Sequence, residues 1–153
     1  MKHNFYHLEL KEGLPVLVKE DRTYEADKRV SYTSPERVYD LCKGIGLDRM
    51  AEEYVYAVYL NTACKLIGFT EITHGTISVS LISPREILQK ALFLGASNII
   101  VIHNHPSGNT NPSKQDKDAT QKLEKACNLI GISLLDHIII GDDYYSFKGN
   151  NLL

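Results

Sequence analysis

Asn98-Ile99-Ile100-Val101-Ile102-His103-Asn104-His105-Pro106-Ser107-Gly108-Asn109-Thr110-Asn111-Pro112-Ser113-Lys114-Gln115-Asp116 changes character twice. Asn98–Ile102 shows no polar alternation, so it reads as a strand buried on both faces. His103 to Pro112 is a polar loop broken by proline and glycine. Ser113 then caps a helix that ends near Gly131. Strand, loop and helix in this order belong to a sheet with helices packed on it.

The flanking sequence extends that picture. Downstream, Ile132–Ile140 and Tyr144–Phe147 read as two strands around Gly141-Asp142-Asp143. Upstream, Ser83-Pro84-Arg85-Glu86 is a helix start with the spacing of a capping box, and the helix runs to Gly95. Lys65–Thr73 and Thr76–Ile82 read as strands meeting at His74-Gly75, and Tyr54–Leu60 as a buried strand. Ser34-Pro35-Glu36 opens an earlier helix with an N-cap hydroxyl and a proline at the first position. Val38, Leu41, Cys42 and Ile45 follow at helical spacing, and Gly44 and Gly46 end it. The expected fold is α/β, a mixed sheet flanked by helices.

Residues 1–33 stand apart. Tyr6–Leu10 and Leu14–Val18 are apolar stretches separated by Lys11-Glu12-Gly13, which predicts an N-terminal arm or hairpin. Charged residues dominate from there to Arg29, so this arm is expected to be only partly ordered. Two segments result: the arm over 1–33 and one domain over 34–153. A sheet edge in the arm offers a place for a second copy to pair, which makes a homo-oligomer an open expectation.

Composition narrows the function classes. The 153 residues suit a single domain with its own core. A net charge of −2 argues against broad binding to a phosphate backbone. Cys42, Cys64 and Cys127 are odd in number and widely spaced, which suits reduced thiols in a cytoplasmic protein. No apolar leader opens the chain and no stretch reaches the length of a membrane span.

The chemistry concentrates in the opening stretch. His103 and His105, two apart at a strand end, leave on the same side. Neutral imidazole is a good zinc ligand. Asp116 falls at N3 of the helix that Ser113 caps, where the helix N-terminus favours the ionised carboxylate. The loop turns the chain so that this carboxylate returns toward the imidazoles. Two histidines and one aspartate make an open three-ligand site for one Zn2+ per chain, with the fourth position left for water. That pattern marks a catalytic rather than a structural zinc.

His103-Asn104-His105-Pro106, Ser113 and Asp116 together resemble the His-x-His-x7-Ser-x2-Asp signature of JAMM (JAB/MPN) metalloproteases. Pro84-Arg85-Glu86, Ser107-Gly108, Pro112-Ser113 and Asp136-His137-Ile138-Ile139 make the chain from about Ser34 onward similar to the C-terminal domain of RadC-like proteins. The resemblance implies a JAB/MPN, cytidine-deaminase-like architecture with a curved sheet. It also implies a zinc-dependent hydrolase of peptide or isopeptide bonds, acting on a protein or peptide partner. By the same resemblance Glu53, just ahead of the Tyr54 strand, matches the general base. Its neighbour Glu52 and the more distant Glu71 are the alternatives. Ser113 is implied to steady an oxyanion, beside its plain role as helix cap. Asn104 and Ser107 are candidates for substrate contact or loop shaping. His137 reads either as a hydrogen-bonded core histidine or as a partner behind the metal ligands.

Other classes fit less well. RadC-like proteins carry a DNA-repair label, and longer members have an N-terminal helix-hairpin-helix module. Here the first 33 residues read as strand, so no such module is expected and nucleic acid is a weaker partner. HNH nucleases disperse the residues that stand adjacent in His103-Asn104-His105. Zinc deaminases need His-x-Glu and Pro-Cys-x-x-Cys, which are absent. A non-catalytic metal-binding interaction domain is the remaining alternative, although such MPN scaffolds typically lose the ligands that stand here.

Overall fold

The computed structural model describes residues 1–75 and 82–153. Two strands, β1 (Lys2–Lys11) and β2 (Leu14–Glu25), precede helix α1 (Pro35–Gly44) and a single 3₁₀ turn, Leu47–Arg49. Then come β3 (Tyr54–Leu60), β4 (Leu66–His74), α2 (Pro84–Leu94), β5 (Asn98–Asn104), α3 (Lys114–Ile130), β6 (Ser133–Ile140) and β7 (Tyr144–Ser146). The strand expected at Thr76–Ile82 falls on residues 76–81, outside the described ones. No described helix is long and apolar enough to cross a membrane.

All the described strands join one seven-stranded sheet in the order β2-β1-β4-β3-β5-β6-β7. The sheet is mixed: β1–β4 and β5–β6 are parallel, and the other neighbours are antiparallel. This is the mixed, helix-flanked α/β architecture that the sequence predicts.

Side-chain alternation sorts the core into two layers. Tyr56, Val58, Ile100, Ile102, Ile138 and Ile140 face α1, where Val38, Leu41 and Cys42 meet them. Val55, Ala57, Ile99 and Val101 face α2 and α3, against Ile87, Ala91, Leu123 and Cys127. The central strands are therefore buried on both faces, which explains their unbroken apolar sequence.

The N-terminal hairpin is longer than its apolar stretches. β1 and β2 pair from Lys2↔Glu25 to Lys11↔Leu14. Glu12 and Gly13 turn the chain with φ of 51° and 79°. Two consecutive positive φ values give the turn whose twist matches a two-residue hairpin. The charged stretch expected to be loosely ordered is strand as far as Glu25, and its side chains alternate. Arg22 turns inward: it donates to the Tyr56 hydroxyl at 2.8 Å and to the Ile45 carbonyl at 2.8 Å, and lies 4.1 Å above the Phe5 ring.

The helix starts differ from expectation in one respect. Ser34 and Ser83 occupy N-cap positions, but neither side chain makes a cap hydrogen bond, so the box expected at Ser83 and Glu86 does not form. Proline at the next position already removes one orphan N–H in each case. At α3 the box is complete, with Asp116 as its second member.

Candidate metal centre

β5 runs two residues further than its apolar run, through His103 and Asn104. Alternation then sets the roles of the whole His-Asn-His string. Ile99 and Val101 face α3, so His103 does too. Asn104 faces the other way.

His103 Nε2 and His105 Nε2 lie 2.8 Å apart. The second imidazole is aimed by its own backbone: its Nδ1 is 2.6 Å from the Asn109 carbonyl oxygen. A carbonyl only accepts, so Nδ1 carries the hydrogen and Nε2 is left with its lone pair. The loop that holds His105 is latched to the β6–β7 turn. The His105 N–H donates to the Ile140 carbonyl at 2.7 Å, and the Asp142 N–H donates to the Gly108 carbonyl at 3.0 Å. Gly108 has φ of +83°, and a Cβ there would lie 2.7 Å from the Asp142 carboxylate oxygens. The left-handed conformation therefore favours glycine, and any side chain there would also have to displace the Asp142 carboxylate.

Asp116 reaches the same place from α3. One carboxylate oxygen, Oδ2, accepts from the Ser113 N–H at 2.7 Å and from the Ser113 hydroxyl at 2.6 Å. The Asp116 N–H in turn donates to the Ser113 oxygen at 3.0 Å. The other oxygen, Oδ1, faces His103 Nε2 at 3.8 Å. The capping box thus holds one side of the carboxylate and presents the other.

Glu53 enters from the start of β3, with Oε1 3.5 Å from His105 Nε2. Its neighbour Glu52 is exposed. Asn104 explains how this segment is placed. Its side-chain oxygen accepts from the Tyr54 N–H at 2.7 Å, and its amide donates to the Glu52 carbonyl at 2.9 Å and the Met50 carbonyl at 3.3 Å. Asn104 is buried and does not face the cavity; it fastens the backbone that carries Glu53 to the strand that carries His103. Of the two roles the sequence leaves open for Asn104, substrate contact and shaping the chain, these bonds favour the second. Glu71 lies outside the cavity, with its oxygens toward Tyr56 and His74.

The electrostatics suit a cation. Burial pushes the His103 and His137 imidazoles below their usual range; for His103 the Asp116 charge opposes this. Neutral imidazole is the ligating form. Burial also raises the Glu53 carboxyl, with His105 lowering it and Asp116 raising it further. Glu53, His103 and His105 form a cluster whose ligand atoms lie within 4.8 Å of one another. Asp116 stands just outside that cluster, its Oδ1 3.8 Å from His103 Nε2; imidazole and carboxylate donors of this kind suit a divalent ion such as zinc.

These groups line a cavity of about 540 Å³ together with Val55, Thr73, Ile82, Ser107, Ser113 and Ala119. Among the described residues that line it there is no Lys or Arg. His137 sits behind the site: its Nε2 is 2.7 Å from His103 Nδ1, and its ring stacks on Phe147 with centroids 4.6 Å apart.

Comparison with known proteins agrees with this geometry. A family profile described as RadC-like JAB domain matches residues 32–152. A UPF0758 protein of Clostridioides difficile is 47% identical over 105 residues, 68% of this chain and 45% of the relative. A UPF0758 protein of Chlorobaculum parvum is 43% identical over 104 residues, 67% of this chain and 47% of the relative. One of Chlorobium phaeovibrioides is 39% identical over 139 residues, 85% of this chain and 62% of the relative. The chain spans about half the length of the curated relatives it matches.

Proposed function

Because the chain belongs to the RadC-like JAB domain family, we propose that it is a zinc-dependent hydrolase of peptide or isopeptide bonds. The observation that carries this reading is the convergence of His103 Nε2, His105 Nε2, Asp116 Oδ1 and Glu53 on one open cavity.

His103, His105 and Asp116 would hold the ion. A bound zinc supplies Lewis acidity toward a carbonyl oxygen and lowers the pKa of a water toward ~7. Among the described residues no hydrogen bond fixes the Glu53 side chain, unlike those of the other three donors, which suits a group that must move a proton. It takes a proton from the attacking water as oxygen bonds to the carbonyl carbon. It then delivers that proton to the amine as the C–N bond breaks. The burial that raises its carboxyl makes it a better base than an exposed glutamate. Ser113 lines the cavity, but its hydroxyl hydrogen rests on Asp116 Oδ2. Steadying an oxyanion requires that hydrogen to turn toward the substrate.

The cavity wall supports an amide over a phosphodiester. Among the described residues it offers two carboxylates, apolar Val55, Ile82 and Ala119, and no Lys or Arg to neutralise a phosphate. The test is a comparison of cleaved cellular proteins after exposure to the zinc-loaded chain or to Glu53→Gln. Fragments made by the wild type alone support the reading. Identical patterns from the two proteins contradict it.

A further inference from the structure

We propose that the ring of His103 is held in one tautomer by a directed hydrogen-bond relay through His137 and Thr120, which makes these two residues positioning residues for the metal ligand. The inference rests on the metal reading for its purpose but on separate atoms for its evidence.

The direction of the relay follows from its far end. The Asp116 main-chain carbonyl has no hydrogen to give. Thr120 Oγ1 lies 2.6 Å from it, so the threonine hydroxyl donates there. That oxygen is also 2.7 Å from His137 Nδ1. Its hydrogen being committed, it accepts, and His137 Nδ1 carries the proton. His137 Nε2 then has only a lone pair. It lies 2.7 Å from His103 Nδ1, which must donate to it. His103 Nε2 is left unprotonated and faces the cavity.

Every member is enclosed. Thr120, His137 and His103 are each at most 2% exposed, so no bulk water competes for these bonds. The Phe147 ring, stacked on His137 at an interplanar angle of 11°, restricts its rotation. Register brings the partners together: His137 pairs with Val101 in the parallel β5–β6 ladder, two residues before His103 and so on the same face. Thr120 lies one turn along α3 from Asp116.

Two consequences connect the relay to the site. The relay starts on the backbone of Asp116 and ends on His103, so one chain of bonds connects two proposed ligands. Independently, the Asn109 carbonyl leaves His105 Nε2 unprotonated. The two Nε2 lone pairs thus face each other at 2.8 Å, a repulsion that a cation between them removes. An imidazole whose far nitrogen is held this way binds metal in a fixed orientation, and loss of such a partner typically weakens affinity about 10–100-fold.

The experiment uses the full chain, wild type, Thr120→Val and Thr120→Ser. Nitrogen NMR of the imidazoles reads the His103 tautomer after metal removal, and a competition titration reads zinc affinity. Wild type is expected to show His103 protonated at Nδ1 even without metal. Thr120→Val, which keeps the shape and removes the hydroxyl, is expected to mix the tautomers and weaken zinc binding roughly 10-fold or more. Thr120→Ser is expected to restore both. Wild-type His103 protonated at Nε2, or a folded Thr120→Val with unchanged tautomer and zinc affinity, overturns the relay. Wild type with the expected tautomer but no zinc binding upholds the relay and overturns the metal reading instead.

Discussion

The two ends of the sheet are held together by different physics. At the β2-β1-β4 end, Phe5 stacks on Phe69 with centroids 4.7 Å apart, Tyr24 meets Phe69 edge-on, and Arg22 lies over Phe5. These contacts are broad and depend on volume. At the β5-β6 end, bonds from Asn104, His137, Thr120, Ser113 and Asp116 each assign a hydrogen to a particular atom. The first end supplies stability. The second supplies geometry, and a small change there removes chemistry before it removes the fold.

That difference predicts a double dissociation. His103→Ala should have the largest effect: zinc content falls from about one per chain to none in metal analysis, while far-ultraviolet circular dichroism stays as in the wild type. Zinc retained in full by this variant would break the comparison. Phe5→Ala should do the reverse. It should lose about 3–5 kcal/mol in denaturant unfolding, the range for a buried aromatic, with zinc content per folded chain unchanged. A smaller effect sharpens the distinction within the polar end. Ser113→Ala should lose about 1 kcal/mol, because it removes a working cap, and Ser83→Ala only a few tenths, because no cap bond exists there. Equal losses in thermal unfolding would show that the two serines act alike.

The polar end was the more legible in sequence. His103, His105 and Asp116 carry their chemistry in their side chains and stand close together, so spacing and alternation suffice to group them. Asn104 reads from sequence as either a substrate contact or a shaper of the chain, and strand parity, which sends it to the other face, favours the second. His137 lies 34 residues from His103, and only the parallel register of β5 and β6 joins them. The aromatic end was harder. Lys19 to Glu25 reads as a charged, loose segment, yet Glu20, Arg22 and Tyr24 alternate with exposed neighbours. The period of two was present but hidden, since one inward position is an arginine whose partners, Tyr56 and Ile45, lie far along the chain. The capping boxes make the same point: Ser83 and Glu86 have the same spacing as Ser113 and Asp116 and the better consensus, yet the bonds form at Ser113 and Asp116.

Both carboxylates approach the histidines, Asp116 Oδ1 to His103 at 3.8 Å and Glu53 Oε1 to His105 at 3.5 Å, so their division of labour is the central claim. Zinc bound per folded chain, measured side by side in Asp116→Ala and Glu53→Gln, tests it most directly. The account predicts that Asp116→Ala loses the ion and that Glu53→Gln keeps it. Zinc lost from Glu53→Gln and kept by Asp116→Ala would contradict it.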